Sequence, residues 1–166
     1  MPSTSLNPDS TVLRTMAEPL RAHGIATRRS EIRYMAADLL GKVGLDQPGI
    51  LDRRTRQMSI GQQQRLAIAR SLSVQPEILI CDEVTSGLDA CIQVQTVELL
   101  RRIREENGIA MLFITHNLAL TRWIAHRTIV MREGRIVEEG ETETLMHSPR
   151  DTYTQALLDA VTMAKA

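Results

Sequence analysis

Residues 78–116 read ILICDEVTSGLDACIQVQTVELLRRIREENGIAMLFITH, and their apolar pattern decides the fold class. Ile78 to Cys81 and Ala110 to Ile114 are short, continuous apolar runs without the alternation of a half-exposed strand, so both read as buried parallel strands. Between them, Asp89 to Asn107 has the spacing of an amphipathic helix. Val94, Val97, Leu100 and Ile103 face inward, Asp89 is the N-cap and Gly108 lies just past the end. Strand, helix, strand is a βαβ unit, so the expected fold is α/β with a parallel sheet.

Ahead of this unit the pattern is helical. Pro8, Pro19, Gly24, Gly41, Gly44 and Pro48 divide residues 1–57 into short pieces. The clearest is Ser30 to Leu40, with Ile32, Met35, Ala36 and Leu39 at helical spacing and Gly41 as the stop. A further helix begins after Ser59, a candidate N-cap, turns Leu66, Ala69 and Leu72 inward and ends before Pro76. Behind the unit, Thr128 to Met131 and Ile136 to Glu138 predict a hairpin joined through Glu133 and Gly134. Short helices follow around Glu141 to His147 and Thr152 to Val161, and no internal repeat is expected.

The 166 residues carry 20 basic and 20 acidic side chains, 43% hydrophobic and 24% charged residues, which is the composition of a folded globular domain. Only 2% are aromatic, too few for the stacking platforms of single-strand nucleic-acid binders, so no nucleic-acid partner is expected. The start lacks the basic and apolar regions of a signal peptide, and no apolar run approaches the roughly 20 residues a membrane span needs, so a cytoplasmic protein is expected. Cys81 and Cys91 form no CxxC and have no His at ligand spacing, which reads as reduced thiols rather than a zinc site. The zero net charge divides into +5 over residues 1–76 and −5 over residues 77–166.

Ligands of a parallel sheet gather at the carboxyl ends of its strands, where the two runs end in Asp82-Glu83 and Thr115-His116. An Asp closing an apolar strand suits Mg²⁺, the following Glu suits orientation or deprotonation of a water, and His116 suits a hydrogen bond to a terminal phosphate. Met58 to Arg65 is a small-residue turn into a helix. Its free N–H groups favour an anion, Ser59 and Gln62 add donors, and Gly61 admits close backbone approach. Taken singly, each element also reads as ordinary structure: polar residues opening a turn, or a capped helix.

Together, these strings resemble the ABC transporter ATPases. MSIGQQQRLAIAR resembles their signature loop and following helix, ILICDE the Walker B strand with its catalytic Glu, SGLD at 86–89 the D-loop, and FITHN the His switch. The anchors stand in the family's order, with 23 positions from Ser59 to Asp82 and 34 from Asp82 to His116. SLNP at 5–8, AEPLRAHG at 17–24 and SPRDTYTQALLDAV at 148–161 are similar to segments of the oligopeptide, dipeptide and nickel importer branch.

The resemblance implies a P-loop NTPase of the ABC nucleotide-binding type, present in part. Residues 1–76 would be the helical subdomain with its signature loop at 58–62, residues 77–147 the Walker B half of the parallel-sheet core, and residues 148–166 a C-terminal extension. It assigns Asp82 to Mg²⁺, Glu83 to water activation and His116 to the γ-phosphate of ATP. Ser59, Gly61 and Gln62 would contact ATP held by an opposite subunit, and Asp89 and its loop would bridge the two sites. The implied partners are permease subunits, a second ATPase subunit and, indirectly, a solute-binding protein, with the chain peripheral on the cytoplasmic face of the membrane. The arginines near 53–56 would face the permease or the membrane surface, or else form a solvated charged face.

Three departures stand out. Ile60 replaces the first Gly of the signature pair, putting a β-branched side chain where an unusual φ is expected. Asp151-Thr152 replaces His-Pro in the C-terminal segment. The sequence contains no GxxxxGK[ST], the phosphate loop, so the chain reads as beginning just after the Q-loop, without the adenine-stacking aromatic. The readings that follow are an ATPase subunit completed by another segment and inactive alone, a non-catalytic module that docks on a permease or lends its signature loop in trans, or a decayed product. With core strands elsewhere, an exposed apolar sheet surface and a tendency to aggregate are expected.

Overall fold

A computed structural model describes residues 6–163. Ser5 of the SLNP string and the last three residues of the C-terminal segment lie outside them. Packing divides the chain into two units, 1–112 and 113–166, with the division inside a strand.

The first unit begins with helices α1 (Val12–Ala22) and α2 (Arg29–Lys42). Two 3₁₀ turns, Ile50–Asp52 and Thr55–Gln57, lead into α3 (Ile60–Leu72). Strand β1 (Ile78–Asp82), helix α4 (Ala90–Asn107) and strand β2 (Ala110–Ile114) follow, and β1 and β2 pair as a two-stranded parallel sheet. Met16 and Leu20 of α1, Ile32 and Leu40 of α2, Leu45 just after it, Leu66 of α3 and Leu100 of α4 are among the large side chains wholly withdrawn from solvent. Each such burial contributes roughly 1.5–3 kcal/mol, which makes this helical layer the main apolar store of the unit.

Pro19 lies inside α1 rather than breaking it. The first two helices stop instead at glycines in the left-handed region, Gly24 (φ 66°) and Gly44 (φ 71°). After α2, Leu45 N–H donates to the Leu40 carbonyl at 2.8 Å and Gly44 N–H to the Gly41 carbonyl at 3.0 Å, a Schellman motif. The expected stop at Gly41 is therefore corrected by three residues, since Gly41 remains helical.

Upstream of α3, the segment that opens the described chain is laced to the turns. Val12 N–H donates to the Arg53 carbonyl, Thr55 N–H to the Ser10 carbonyl and Arg56 N–H to the Pro8 carbonyl. The Thr55 hydroxyl donates to the Asn7 carbonyl at 2.6 Å, and Asp9 pairs with Arg54 and Arg56.

Helix α4 has the expected caps, Asp89 accepting the Ile92 N–H and Gly108 at φ 64°. Its inner face differs by one position: Val94 is exposed, while Thr96 and Leu99 are buried beside Val97, Leu100 and Ile103. Thr96 is hidden at low cost because its hydroxyl donates to the Ile92 carbonyl at 2.8 Å.

The reading of β1 and β2 as strands buried on both faces is also corrected. Leu79 and Cys81 are buried, whereas Ile78 and Ile80 are 63% and 64% exposed and Leu112 is 51% exposed. Their open face is the exposed apolar sheet surface that the sequence leads one to expect.

The second unit holds α5 (Leu118–Ile124), β3 (Arg127–Arg132), β4 (Arg135–Glu141), α6 (Thr142–His147) and α7 (Thr152–Met163). The hairpin turns on Glu133 (φ 51°) and Gly134 (φ 76°), with Arg132 opposite Arg135, and a bulge follows Val130. Helix α7 is tied to this hairpin by Glu138, whose carboxylate accepts the N–H groups of Arg150 and Asp151 at 2.9 and 3.1 Å, and by Arg132 stacked on Tyr153. Asp151 accepts the Tyr153 N–H at 2.8 Å, so Asp151-Thr152 is a capped helix start in place of His-Pro.

Two expectations follow. Gly44→Ala places a Cβ 2.7 Å from Arg65 Nη1 in a left-handed residue, whereas Gly24→Ala meets only the backbone strain. Urea denaturation should show a loss of about 1 kcal/mol for Gly24→Ala and a larger loss, about 2–3 kcal/mol, for Gly44→Ala. The Arg150 N–H, foremost, holds the Glu138 carboxyl below its ordinary value of 4.5. A depressed folded-state pKa means that the tie is intact above the unfolded value and lost as pH falls through the lower one. Protection of the Arg150 and Asp151 amides, measured against their intrinsic exchange rates, should fall over that range, and Glu138→Gln should flatten the dependence.

Candidate functional site

Four of the sequence-predicted groups lie in the first unit. Ser59, Gly61 and Gln62 are together at the start of α3, Asp82 ends β1, Glu83 opens the turn after it, and Asp89 caps α4. His116 lies in the second unit, in the bend between β2 and α5.

At α3, Ser59 and Gln62 form a capping box. Ser59 Oγ accepts the Gln62 N–H at 3.3 Å, and Gln62 Oε1 accepts the Ser59 N–H at 3.0 Å. Both acceptor atoms are thereby engaged by the helix start, and the donors are left for a ligand: the Ser59 hydroxyl proton, the Gln62 amide hydrogens and the first-turn N–H groups. That set suits a phosphate or carboxylate at the positive end of a helix dipole.

Ile60 is the first helical residue, 58% exposed, with no positive φ, so the expected backbone conflict does not arise. Gly61 is small for a reason inside the chain: a Cβ there would lie 3.3 Å from Ile92 Cγ2, bringing the starts of α3 and α4 into contact.

Asp82 is the exposed last residue of β1, on the same side of the pleat as Ile78 and Ile80. Beneath it, burial pushes the Cys81 thiol up to about 12, which keeps that sulfur protonated and inert. Glu83 is left-handed at φ 49° and half-buried, and its carbonyl accepts the Ser86 N–H at 3.0 Å. This conformation carries strain of roughly 1–3 kcal/mol and bends the chain sharply out of the strand. Among the described residues no group of three or more metal-ligating side chains occurs, so an ion at Asp82 would draw its other ligands from water and phosphate oxygens. A single hard carboxylate at a strand end fits Mg²⁺ on those terms.

In the second unit, His116 is exposed and its bend is pinned on both sides. Asn117 N–H donates to Thr115 Oγ1 at 3.0 Å, and Asn117 Oδ1 accepts the Ala119 N–H at 3.1 Å. Sequence reasoning missed Gln63, Gln93 and Arg65, which organise the approaches to α3 and α4. The sequence did contain a sign of them, since TRQMSIGQQ and TSGLDACIQ align at an offset of 30.

The order of these elements along one chain is that of an ABC-type ATPase core, and the chain belongs to the ABC transporter family, whose model matches residues 2–86. Its relatives make the branch specific. The oligopeptide transport ATP-binding protein OppF of Escherichia coli K12 is 41% identical over 160 residues, covering 96% of this chain and 48% of OppF. The dipeptide transport ATP-binding protein DppD of the same organism is 42% identical over 161 residues, covering 96% of this chain and 49% of DppD. The chain thus spans about half the length of the curated relatives it matches. The structure of cbiO1 from Clostridium perfringens, part of the ABC transporter complex cbiONQ, matches with a TM-score of 0.75 at 27% identity, over 89% of this chain and 57% of cbiO1.

The caps can be tested without any ligand. Ser59→Ala should cost about 1 kcal/mol in thermal or urea unfolding, and Ser59→Ala with Gln62→Ala should cost less than the sum of the two, because the box is reciprocal. Asp89→Ala should cost a similar amount and Asp89→Asn little, since the amide oxygen still accepts the Ile92 N–H.

Proposed function

We propose that this chain is part of the ATP-binding subunit of an importer for peptides or a related solute such as a dipeptide, an oligopeptide or nickel. The observation that carries the reading is the capped, donor-rich N-terminus of α3 in the same unit as the carboxylates of Asp82 and Glu83, in a chain whose relatives are peptide transport ATP-binding proteins. Ser59, Gly61 and Gln62 meet the phosphates of ATP held by an opposite subunit. Asp82 holds Mg²⁺, which when bound offsets the charge of the phosphates. Glu83 orients and deprotonates the attacking water, His116 hydrogen-bonds the terminal phosphate, and the loop to Asp89 bridges the two sites. The partners are permease subunits, a second ATPase subunit and, through the permease, a solute-binding protein. No helix among the described residues is long and apolar enough to cross a membrane, and the proposed place of work is the cytoplasmic face, docked on the permease.

The 166 residues contain no GxxxxGK[ST], so the phosphate cradle must come from another segment or subunit. In a second reading the chain hydrolyses nothing itself and lends its α3 N-terminus to a complete partner. Reconstitution with a segment carrying the phosphate loop separates them. Under the first reading the assembly hydrolyses ATP and Glu83→Gln lowers kcat by at least ~10²-fold, the scale of a lost general base. Hydrolysis indifferent to Glu83→Gln sinks it. Titration of the chain alone with Mg-ATP should show no submillimolar binding under either reading, and such binding would contradict the need for an outside cradle.

A further inference from the structure

Helices α3 and α4 are entered through one device used twice. Thr55 and Thr85 are both buried, at 1% and 2% exposure. The Thr55 carbonyl accepts the Met58 N–H at 3.1 Å and the Thr85 carbonyl accepts the Leu88 N–H at 3.4 Å, closing a short turn in each case. The next residue caps the helix: Ser59 accepts from Gln62 N–H and Asp89 from Ile92 N–H. Four residues beyond the cap a glutamine reaches back. Gln63 Nε2 donates to the carbonyls of Thr55 and Met58, each at 3.1 Å, and Gln93 Nε2 donates to the carbonyls of Thr85 and Leu88, each at 3.2 Å. Every corresponding pair is 30 positions apart, so the same side-chain lock recurs at 55–63 and 85–93, although the first turn is 3₁₀ and the second passes through the left-handed Gly87.

The chemistry explains the choice of residue. A turn entering a helix leaves carbonyls that point at the helix start with a lone pair still to fill, even where, as at Thr55 and Thr85, one backbone N–H already meets them. A primary amide carries two hydrogens in a fixed fork, so one side chain of the right length bridges two carbonyls. Asn has one methylene fewer, and Glu offers no donor when ionised. The two helix starts lie close enough that a Cβ added to Gly61 would stand 3.3 Å from Ile92 Cγ2.

We propose that Gln63 and Gln93 are positioning residues, each of which locks the turn that enters its helix. Gln63 fixes the direction in which the donors of Ser59 to Gln62 point, and Gln93 fixes the loop that runs from Glu83 to Asp89. The locking itself follows from geometry, and its consequence for hydrolysis rests on the ATPase reading above.

Amide hydrogen exchange on the full chain tests the locking without nucleotide, comparing wild type with Gln63→Met, Gln63→Glu, Gln93→Met and Gln93→Glu. Met keeps the side-chain length without a donor, so a variant that folds is available at both sites. The expected result is exchange about 10-fold faster at Gln57 and Met58 for the Gln63 variants, and at Ser86 and Leu88 for the Gln93 variants. The other turn and the amides of α1 and α2 should keep their rates. Unchanged turn amides, or one uniform acceleration along the whole chain, overturns the proposal. In the reconstituted ATPase, Gln63→Met should raise KM for ATP with kcat little changed, and Gln93→Met should lower kcat with KM little changed. Parallel losses from both variants that track the amount of folded protein would overturn the positioning role. Because the exchange result needs no nucleotide, a failed ATPase reading and a failed lock give different outcomes.

Discussion

The carboxyl end of α2 is the constraint on which the first unit depends. A helix leaves its last carbonyls without partners, and their dipoles add up to a partial negative charge. Here the turn through Gly44 takes two of them, and the others receive guanidinium groups from two different helices. Arg65 of α3 donates to the Val43 carbonyl at 3.0 Å, and Arg102 of α4 donates to the Lys42 carbonyl at 3.1 Å. Arg65 also reaches Gln95 of α4 at 3.4 Å. Three helices are thus held by one terminus. The missing Cβ of Gly44 supplies the gap that Arg65 fills.

That arrangement brings the starts of α3 and α4 close together, so that a Cβ on Gly61 would stand 3.3 Å from Ile92 Cγ2. Stability and ligand chemistry share atoms here. The Ser59–Gln62 box satisfies the helix start with the acceptors of both side chains and leaves their donors facing out. A cap built from Asp, as at α4, would have offered an anion a negative charge instead. The difference between Ser59 and Asp89 is therefore chemical, although the two residues occupy the same place in equivalent turns.

Much of this was legible because punctuation is local. Ser59, Asp89 and Gly108 act where the sequence says they act, since caps depend on neighbours three or four positions away. Helix faces were less legible. The buried stripe is rotated away from Val94 and takes in Thr96 on its other flank, because a hydroxyl bonded to the preceding turn behaves as a small apolar group. Gly41 and Gly44 look alike in sequence, and only the pairing of Leu45 with Leu40 chooses between them. The apolar runs of β1 and β2 encode a strand buried on both sides, but only one side of the sheet finds a cover among the described residues. The glutamine locks escaped notice because polar residues near a helix start carry no periodicity.

The open face formed by Ile78, Ile80 and Leu112 also governs how the chain behaves in solution. Contact between such faces is driven largely by the release of ordered water, so it weakens on cooling and strengthens with warmth. Sulfate and phosphate, excluded from protein surfaces, push in the same direction as heat. The chain should therefore stay dispersed in cold chloride solutions of modest strength and self-associate in the salting-out conditions used for precipitation or hydrophobic chromatography.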